Sequence, residues 1–190
     1  MSAVLVVDVG GSHIKVLATG QQESGRADSG PGMSAARMVE AAKELAGDWS
    51  WENVSVGVPS PIHGGRVVAE PVNLGDGWVG FDYEAAFGKP TRVVNDAAMQ
   101  ALGSYEGGKM LFIGLGTGVG SALVANGFVQ PMELGHLPYK KATFEDYAGG
   151  AGLEKRGKKR WRADVTDIVA KPARPWSPTT SCWAVATRRS

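Results

Sequence analysis

An apolar run from Ala3 to Val9 opens the chain and breaks at Gly10-Gly11-Ser12. Beyond the break His13 to Ala18 alternates, with Ile14, Val16 and Ala18 set against His13, Lys15 and Leu17. A period of two marks strands, so this unit reads strand, glycine turn, strand. A polar stretch from Gln21 to Gly32 follows. Ser34 to Ala46 then carries Met38, Val39, Ala42 and Leu45 at helical spacing, which predicts an amphipathic helix. Asn53 to Val58 reads as a buried strand closed by Pro59-Ser60-Pro61, Arg66 to Ala69 as a short strand, and Pro71 to Trp78 as a loop. Tyr83 to Phe87 is a short helix, Thr91 to Val94 a strand that delivers Asn95-Asp96, and Ala97 to Tyr105 a helix. Lys109 to Leu115 and Val119 to Val124 flank Gly114-Leu115-Gly116-Thr117-Gly118-Val119-Gly120, a second strand, glycine turn, strand unit that echoes the first. Helical segments are predicted over Phe144–Tyr147, Ala151–Gly157 and Trp161–Ala170.

Composition adds boundaries to this α/β pattern. The chain has 190 residues, 43% hydrophobic and 21% charged, with a formal net charge of +1, so no global field favours nucleic acid or a lipid surface. Cys182 is its single cysteine, which excludes a disulfide framework and a cysteine-rich zinc site and makes a reducing, cytoplasmic setting the expectation. No apolar run approaches the roughly 20 residues of a membrane span, and the segment before Asp8 is too short for a signal peptide.

The glycine turns carry the candidate chemistry. Glycine leaves main-chain N–H groups open to an anion at a hairpin tip, which assigns Asp8, Gly10, Gly11, Ser12, His13 and Lys15 to one phosphate-binding set and Gly116, Thr117 and Gly118 to another. Asp8 repels phosphate and acts instead through Mg²⁺ and its waters. Taken singly, the first segment reads equally as an ordinary hairpin. Neither turn leads from a strand into a helix, so the P-loop and the dinucleotide fingerprint do not fit. Asn95-Asp96 reads either as a site with Asp96 as a catalytic carboxylate at a strand end or as a plain helix cap.

Together these stretches resemble the bacterial ROK (repressor, open reading frame, kinase) family, and within it the polyphosphate- or ATP-dependent glucokinases. The resemblance is carried by Asp8 to Lys15, Pro71-Val72-Asn73-Leu74 with Gly77-Trp78, Val94-Asn95-Asp96-Ala97, Gly114 to Gly120, Glu133-Leu134-Gly135-His136 and Phe144-Glu145-Asp146-Tyr147. It implies a two-lobed sugar kinase of the actin-like ATPase (ribonuclease H-like) fold. It further implies transfer of a phosphoryl group from ATP or polyphosphate, with Mg²⁺, to the 6-hydroxyl of glucose. Asp96 is then the general base, and Asn73, Asn95, Asp96, Glu133, His136 and Glu145 are sugar contacts. Trp78 reads as packing rather than sugar stacking. A kinase for fructose, mannose or an N-acetylated amino sugar, and a sugar-binding pseudo-enzyme without a full donor site, are the alternatives. A homodimer is expected.

Two departures narrow the expectation. Many family members place a cysteine-rich zinc site after the Glu-Gly-His segment; Leu137-Pro138-Tyr139-Lys140-Lys141 stands there instead, as in the polyphosphate branch, so no zinc is expected. The basic run Lys155, Arg156, Lys158, Lys159, Arg160 and Arg162 reads as a polyanion contact or a solvated helix face. The family's repressors carry an N-terminal DNA-binding segment, for which a first strand at residue 3 leaves no room, so no nucleic-acid partner is expected.

The domains expected are 1–96, with the first phosphate turn and the base; 97–171, a partial second lobe with the second phosphate turn and sugar contacts; and 172–190, an aberrant, disordered tail. Pro172, Pro175 and Pro178 interrupt the preceding helix, where the resemblance implies a longer helix, a strand and a glycine-rich loop. In GC-rich codons the neighbouring reading frame can encode such a strand and a Gly-Gly-Gly-Asn loop, so the tail reads as truncated or frame-shifted, with the second lobe incomplete.

Overall fold

The computed structural model describes the backbone of residues 2–173 and 181–187, and side chains of residues 2–171. The chain divides into two compact units, Met1–Met99 and Gln100–Ser190.

The first unit is built on a five-stranded sheet. β1 (Val4–Val9) pairs antiparallel with β2 (His13–Ala18), and β2 pairs antiparallel with β3 (Gly25–Asp28). On its other side β1 runs parallel to β4 (Asn53–Val58), which runs parallel to β7 (Thr91–Asn95), giving the order β3-β2-β1-β4-β7. Alternate residues Leu5, Val7, Val9, Ile14, Val16, Val54, Val56 and Val58 are buried, as the period of two requires. α1 (Ala35–Ala46) covers the core with Ala35, Met38, Val39, Ala42 and Ala46; Ser34 caps it by accepting the Arg37 N–H at 3.3 Å. A small hairpin of β5 (Ile62–His63) and β6 (Arg66–Val67), and α2 (Tyr83–Phe87), complete the layer before α3 (Asp96–Gly103).

β3 falls inside the stretch expected to be polar loop. Its sequence, Gly-Arg-Ala-Asp, has no apolar periodicity; pairing with β2 and the overlying helix make it a strand. Gly25 is required there, because a Cβ would stand 2.9 Å from Val16 Cγ2 and 3.0 Å from Leu45 Cβ.

The second unit has a sheet of order β10-β9-β8-β13. β8 (Lys109–Leu115) and β9 (Val119–Ala125) form the expected glycine hairpin, and β10 (Phe128–Met132) returns through Asn126-Gly127, both at positive φ. That two-residue Asn-Gly turn is a strong hairpin signal, but Pro131 within the following run hides the strand; proline is tolerated because β10 is an edge. A 3-10 turn (Leu134–His136), the hairpin of β11 (Pro138–Tyr139) and β12 (Ala142–Thr143), α4 (Phe144–Ala148) and α5 (Gly150–Ala173) follow. α5 spans both helices expected from the sequence, broken at Gly157 with φ of 72°.

Within the stretch 172–190, expected to be an aberrant, disordered tail, α5 runs to Ala173, and β13 (Ser181–Thr187) lies parallel to β8, with Ser181 opposite Lys109 and Thr187 opposite Leu115. A run of small and β-branched residues can complete a sheet when a partner strand supplies the hydrogen bonds. The remainder of that expectation lies outside the described residues. Among the described residues no helix is long and apolar enough to cross a membrane.

Candidate active site

In the first unit the parallel strands β1, β4 and β7 deliver their carboxyl ends to one edge of the sheet, the edge at which open α/β sheets place ligands. Asp8 sits in register with Lys15 on β2 and with Gly57 on β4; one residue on, Val58 pairs with Asn95. Gly57 makes room for the next helix, since a Cβ on it would stand 3.3 Å from the Asp96 Cα. The turn after β1 is closed by the Gly10 N–H donating to the His13 carbonyl at 2.9 Å, and the Ser29 N–H donates to the Ser12 carbonyl at 2.9 Å. Asn73 lies on this turn: a Cβ on Gly11 would be 3.2 Å from the Asn73 Cβ. His13 borders Arg26 and lies 3.7 Å from Asp28, and the β2–β3 register sets Lys15 opposite Arg26, so the first phosphate set continues into a basic strip.

Asn95, the last residue of β7, and Asp96, the first of α3, are held differently. The Asn95 side-chain oxygen accepts the Ala98 N–H at 3.2 Å, capping α3, and its amide donates to the Ser60 carbonyl at 3.3 Å. An amide oxygen accepts two hydrogen bonds and an amide nitrogen donates two, so this anchorage is compatible with a sugar contact as well. Asp96, the first residue of α3, accepts the Ala97 N–H at 2.8 Å and is half-buried. The cap falls on Asn95.

In the second unit the β8–β9 turn is closed by the Gly116 N–H donating to the Gly118 carbonyl at 3.0 Å, and the Thr117 carbonyl accepts the Gly150 N–H at 3.1 Å. Glu145 on α4 pins the turn, its carboxylate accepting the Val119 N–H at 2.9 Å. Gly118 lies against the same carboxylate, and a Cβ on Gly135 would stand 2.9 Å from the Val119 carbonyl oxygen. The 3-10 turn is held by Ser121, whose hydroxyl accepts the Leu134 N–H at 3.1 Å and donates to the Met132 carbonyl at 2.8 Å. From it Glu133 and His136 project outward, 4.0 Å apart and both mostly exposed. Thus Glu133, His136, Glu145 and Gly116–Gly118 gather in this unit, and Asp8 to Lys15, Asn73, Asn95 and Asp96 in the other.

No family model matches the chain. Among curated proteins it is 28% identical to a polyphosphate glucokinase of Mycobacterium tuberculosis over 187 residues, covering 86% of this chain and 69% of that protein. Among solved structures, the inorganic polyphosphate/ATP-glucomannokinase of Arthrobacter sp. strain KM superposes with a TM-score of 0.71 at 24% identity, covering 98% of this chain and 92% of that one. A ROK family glucokinase from Streptomyces griseus gives 0.67 at 20% identity, over 93% and 72% of the respective chains. The fold is that of the ROK sugar kinases.

Within this ROK-type fold, the segment after His136 is tied down by an ion cluster. Asp164 on α5 is 3% exposed; its carboxylate pairs with Lys140 and, at 2.7 Å, with Arg156, and accepts the Tyr139 hydroxyl at 3.2 Å. Burial alone would push the Asp164 carboxyl up, but the Lys140 and Arg156 hydrogen bonds outweigh it and hold it below the usual carboxylate range. Arg156 also stacks 4.5 Å from the Tyr147 ring centre. Arg156 therefore leaves the basic run expected to meet a polyanion, while Lys155, Lys158, Lys159, Arg160 and Arg162 stay exposed.

Sequence reasoning missed Glu70, Asp164 and the pair Gly149-Gly150. The glycines had a signal in the Gly-Gly-Ala-Gly run before a helical pattern: a Cβ on Gly149 would stand 3.0 Å from the Thr117 carbonyl oxygen. Asp164 and Glu70 had none, because their partners lie elsewhere in the chain. Trp78 is fully buried, with its indole N–H donating to the Met33 carbonyl at 3.2 Å, in keeping with a packing role.

Proposed function

We infer that the chain is a hexokinase-type phosphotransferase of the ROK family, transferring a phosphoryl group from polyphosphate or ATP to the 6-hydroxyl of glucose. One observation carries the reading: the parallel strands of a ROK-type sheet bring Asp8 and the Asn95-Asp96 pair to the same edge, and Asn73 packs on the adjoining glycine turn. Asp96 takes the proton from the attacking hydroxyl, a task suited to a carboxylate at a strand end. Asn73, Asn95, Glu133 and His136 bind sugar hydroxyls. Glu145 holds the second glycine turn through Val119 and contributes to sugar binding from there. Main-chain groups of the two glycine turns, with Ser12, His13, Lys15 and Thr117, hold the donor phosphates.

Mg²⁺ belongs to this reading. Among the described residues no three acidic or histidine side chains cluster as a metal cage. Magnesium on a phosphate donor keeps several waters and needs only one or two carboxylates, so Asp8 beside the first turn fits it through water. The bound ion would neutralise charge on the transferring group. The exposed cations Lys155, Lys158, Lys159, Arg160 and Arg162 favour polyphosphate as a donor. A cytoplasmic homodimer completes the reading.

The test is a coupled assay with glucose and each donor in turn, beside a panel of fructose, mannose and N-acetylated amino sugars. Glucose 6-phosphate formed with either donor supports the reading. Calorimetric glucose binding without turnover in either would replace it with a sugar-binding pseudo-enzyme.

A further inference from the structure

The loop from Pro71 to Trp78 carries Asn73, and a carboxylate closes it. Glu70 stands immediately before the loop; its Oε2 accepts the Trp78 N–H at 3.0 Å and its Oε1 accepts the Val79 N–H at 3.2 Å. Hydrogen bonds from N–H groups to an ionised acceptor are about twice as strong as neutral ones. Between the ends, Pro71, Leu74 and Trp78 are buried. The Met33 carbonyl takes both the Trp78 indole N–H at 3.2 Å and the Gly75 N–H at 3.0 Å. Gly75 has no room for a side chain, since a Cβ would stand 3.0 Å from the Pro31 carbonyl oxygen. The Tyr83 hydroxyl donates to the Trp78 carbonyl at 3.4 Å, and burial first, then the negative charge of Glu70, pushes that hydroxyl well above its ordinary value.

Against these fixed points Val72 and Asn73 stay exposed at the tip, and Asn73 packs on Gly11 of the first phosphate turn. We propose that Glu70 is a positioning residue: by holding the far end of the loop through two main-chain N–H groups, it sets Asn73 at the Gly11 turn, where Asn73 binds the sugar. The proposal rests on the kinase reading above. Both Glu70 oxygens are engaged by main chain, so it acts through Asn73 and not on the substrate.

A residue that only places a binding group weakens ground state and transition state alike, which raises KM and leaves kcat in place. Glu70→Ala is expected to raise the glucose KM about tenfold with kcat within about threefold of wild type. Glu70→Gln, whose amide can accept one N–H but opposes the other, falls between. Asn73→Ala gives a similar KM, and the double variant Glu70→Ala/Asn73→Ala is no worse than the worse single, because both act on one contact. A Glu70→Ala enzyme with the wild-type KM, or effects that multiply in the double variant, would overturn the proposal. If wild-type protein neither binds nor turns over any sugar, the kinase reading falls. The clamp is then judged by hydrogen exchange: faster exchange confined to residues 72–79 in Glu70→Ala sustains it, and unchanged exchange there defeats it.

Discussion

Asn95 and Asp96 show how a short polar pair divides structural and chemical work. Asn95 spends its side chain on the α3 cap and on the Ser60 carbonyl, so the start of the helix is fixed by the first member. Asp96 follows as the first helical residue, with Gly57 leaving its backbone room beside β4. A carboxylate held by main chain in this way is a suitable proton acceptor, and an amide of the same shape is not. Asp96→Asn is therefore expected to lower kcat by about 10² to 10⁴ while glucose affinity measured by calorimetry stays within about threefold. A variant with near-normal kcat would remove Asp96 as the base. The candidate residues were legible at this scale because each lies in a short local pattern: glycines at a turn, Asn-Asp after a strand, Glu and His flanking Leu-Gly. Glu70 was not, because an exposed glutamate before a proline looks like any surface residue until the Trp78 and Val79 amides fold back onto it.

Elements whose pattern is local were read to within a residue or two; those supported by distant partners were not. β2, β4, α2 and β8 follow from alternation or helical spacing alone. β3 depends on β2 and on α1, and β13 on β8, so their own residues do not announce them. α5 shows the same dependence in a helix. Gly157 breaks it at positive φ, and the two halves are joined by Arg156 on one side and Asp164 on the other, with Lys140 of the β11–β12 turn as the third member. Lys140 itself has a φ of 54°, unusual for a side-chain-bearing residue. The ion cluster thus links the segment after His136 to the helix that follows Glu145. Removing the buried carboxylate loses its hydrogen bonds to two partly exposed cations, which costs about 1 to 2 kcal/mol. Asp164→Ala should lower the melting temperature by several degrees, and Asp164→Asn by less, since the amide keeps the Tyr139 contact. Differential scanning calorimetry of the two variants checks the order; equal melting temperatures to wild type would show the cluster to be ornamental.

At the scale of the whole molecule, titratable groups held by hydrogen bonds and burial tie stability to pH. Two carboxyls held below the usual range are Asp146 and Asp164, both in Gln100–Ser190. Asp146 is lowered by the Thr143 side-chain and backbone hydrogen bonds of its capping box, and Asp164 by Lys140 and Arg156 against the opposing effect of burial. A carboxyl depressed in the folded state contributes stability above its unfolded value, about 3.9 for aspartate, and that contribution is lost as pH falls through the folded value. The raised groups act at the other end of the scale. Tyr83 in the first unit is pushed up by burial and Glu70; Tyr139 in the second is raised chiefly by burial, and Lys140 chiefly by its hydrogen bond to Asp164. Stability they contribute is present below about pH 10 and lost as pH rises beyond it, in both units. The second unit is therefore expected to weaken as pH falls through the folded values of Asp146 and Asp164. Hydrogen exchange followed by mass spectrometry, corrected for the intrinsic rate at each pH, should show peptides from residues 109–171 losing protection as pH falls below about 4. Asp164→Asn should flatten that loss in the second unit and leave the first unchanged. An equal loss of protection in the wild-type protein and in Asp164→Asn would remove the ion cluster as an acid-sensitive support of the second unit.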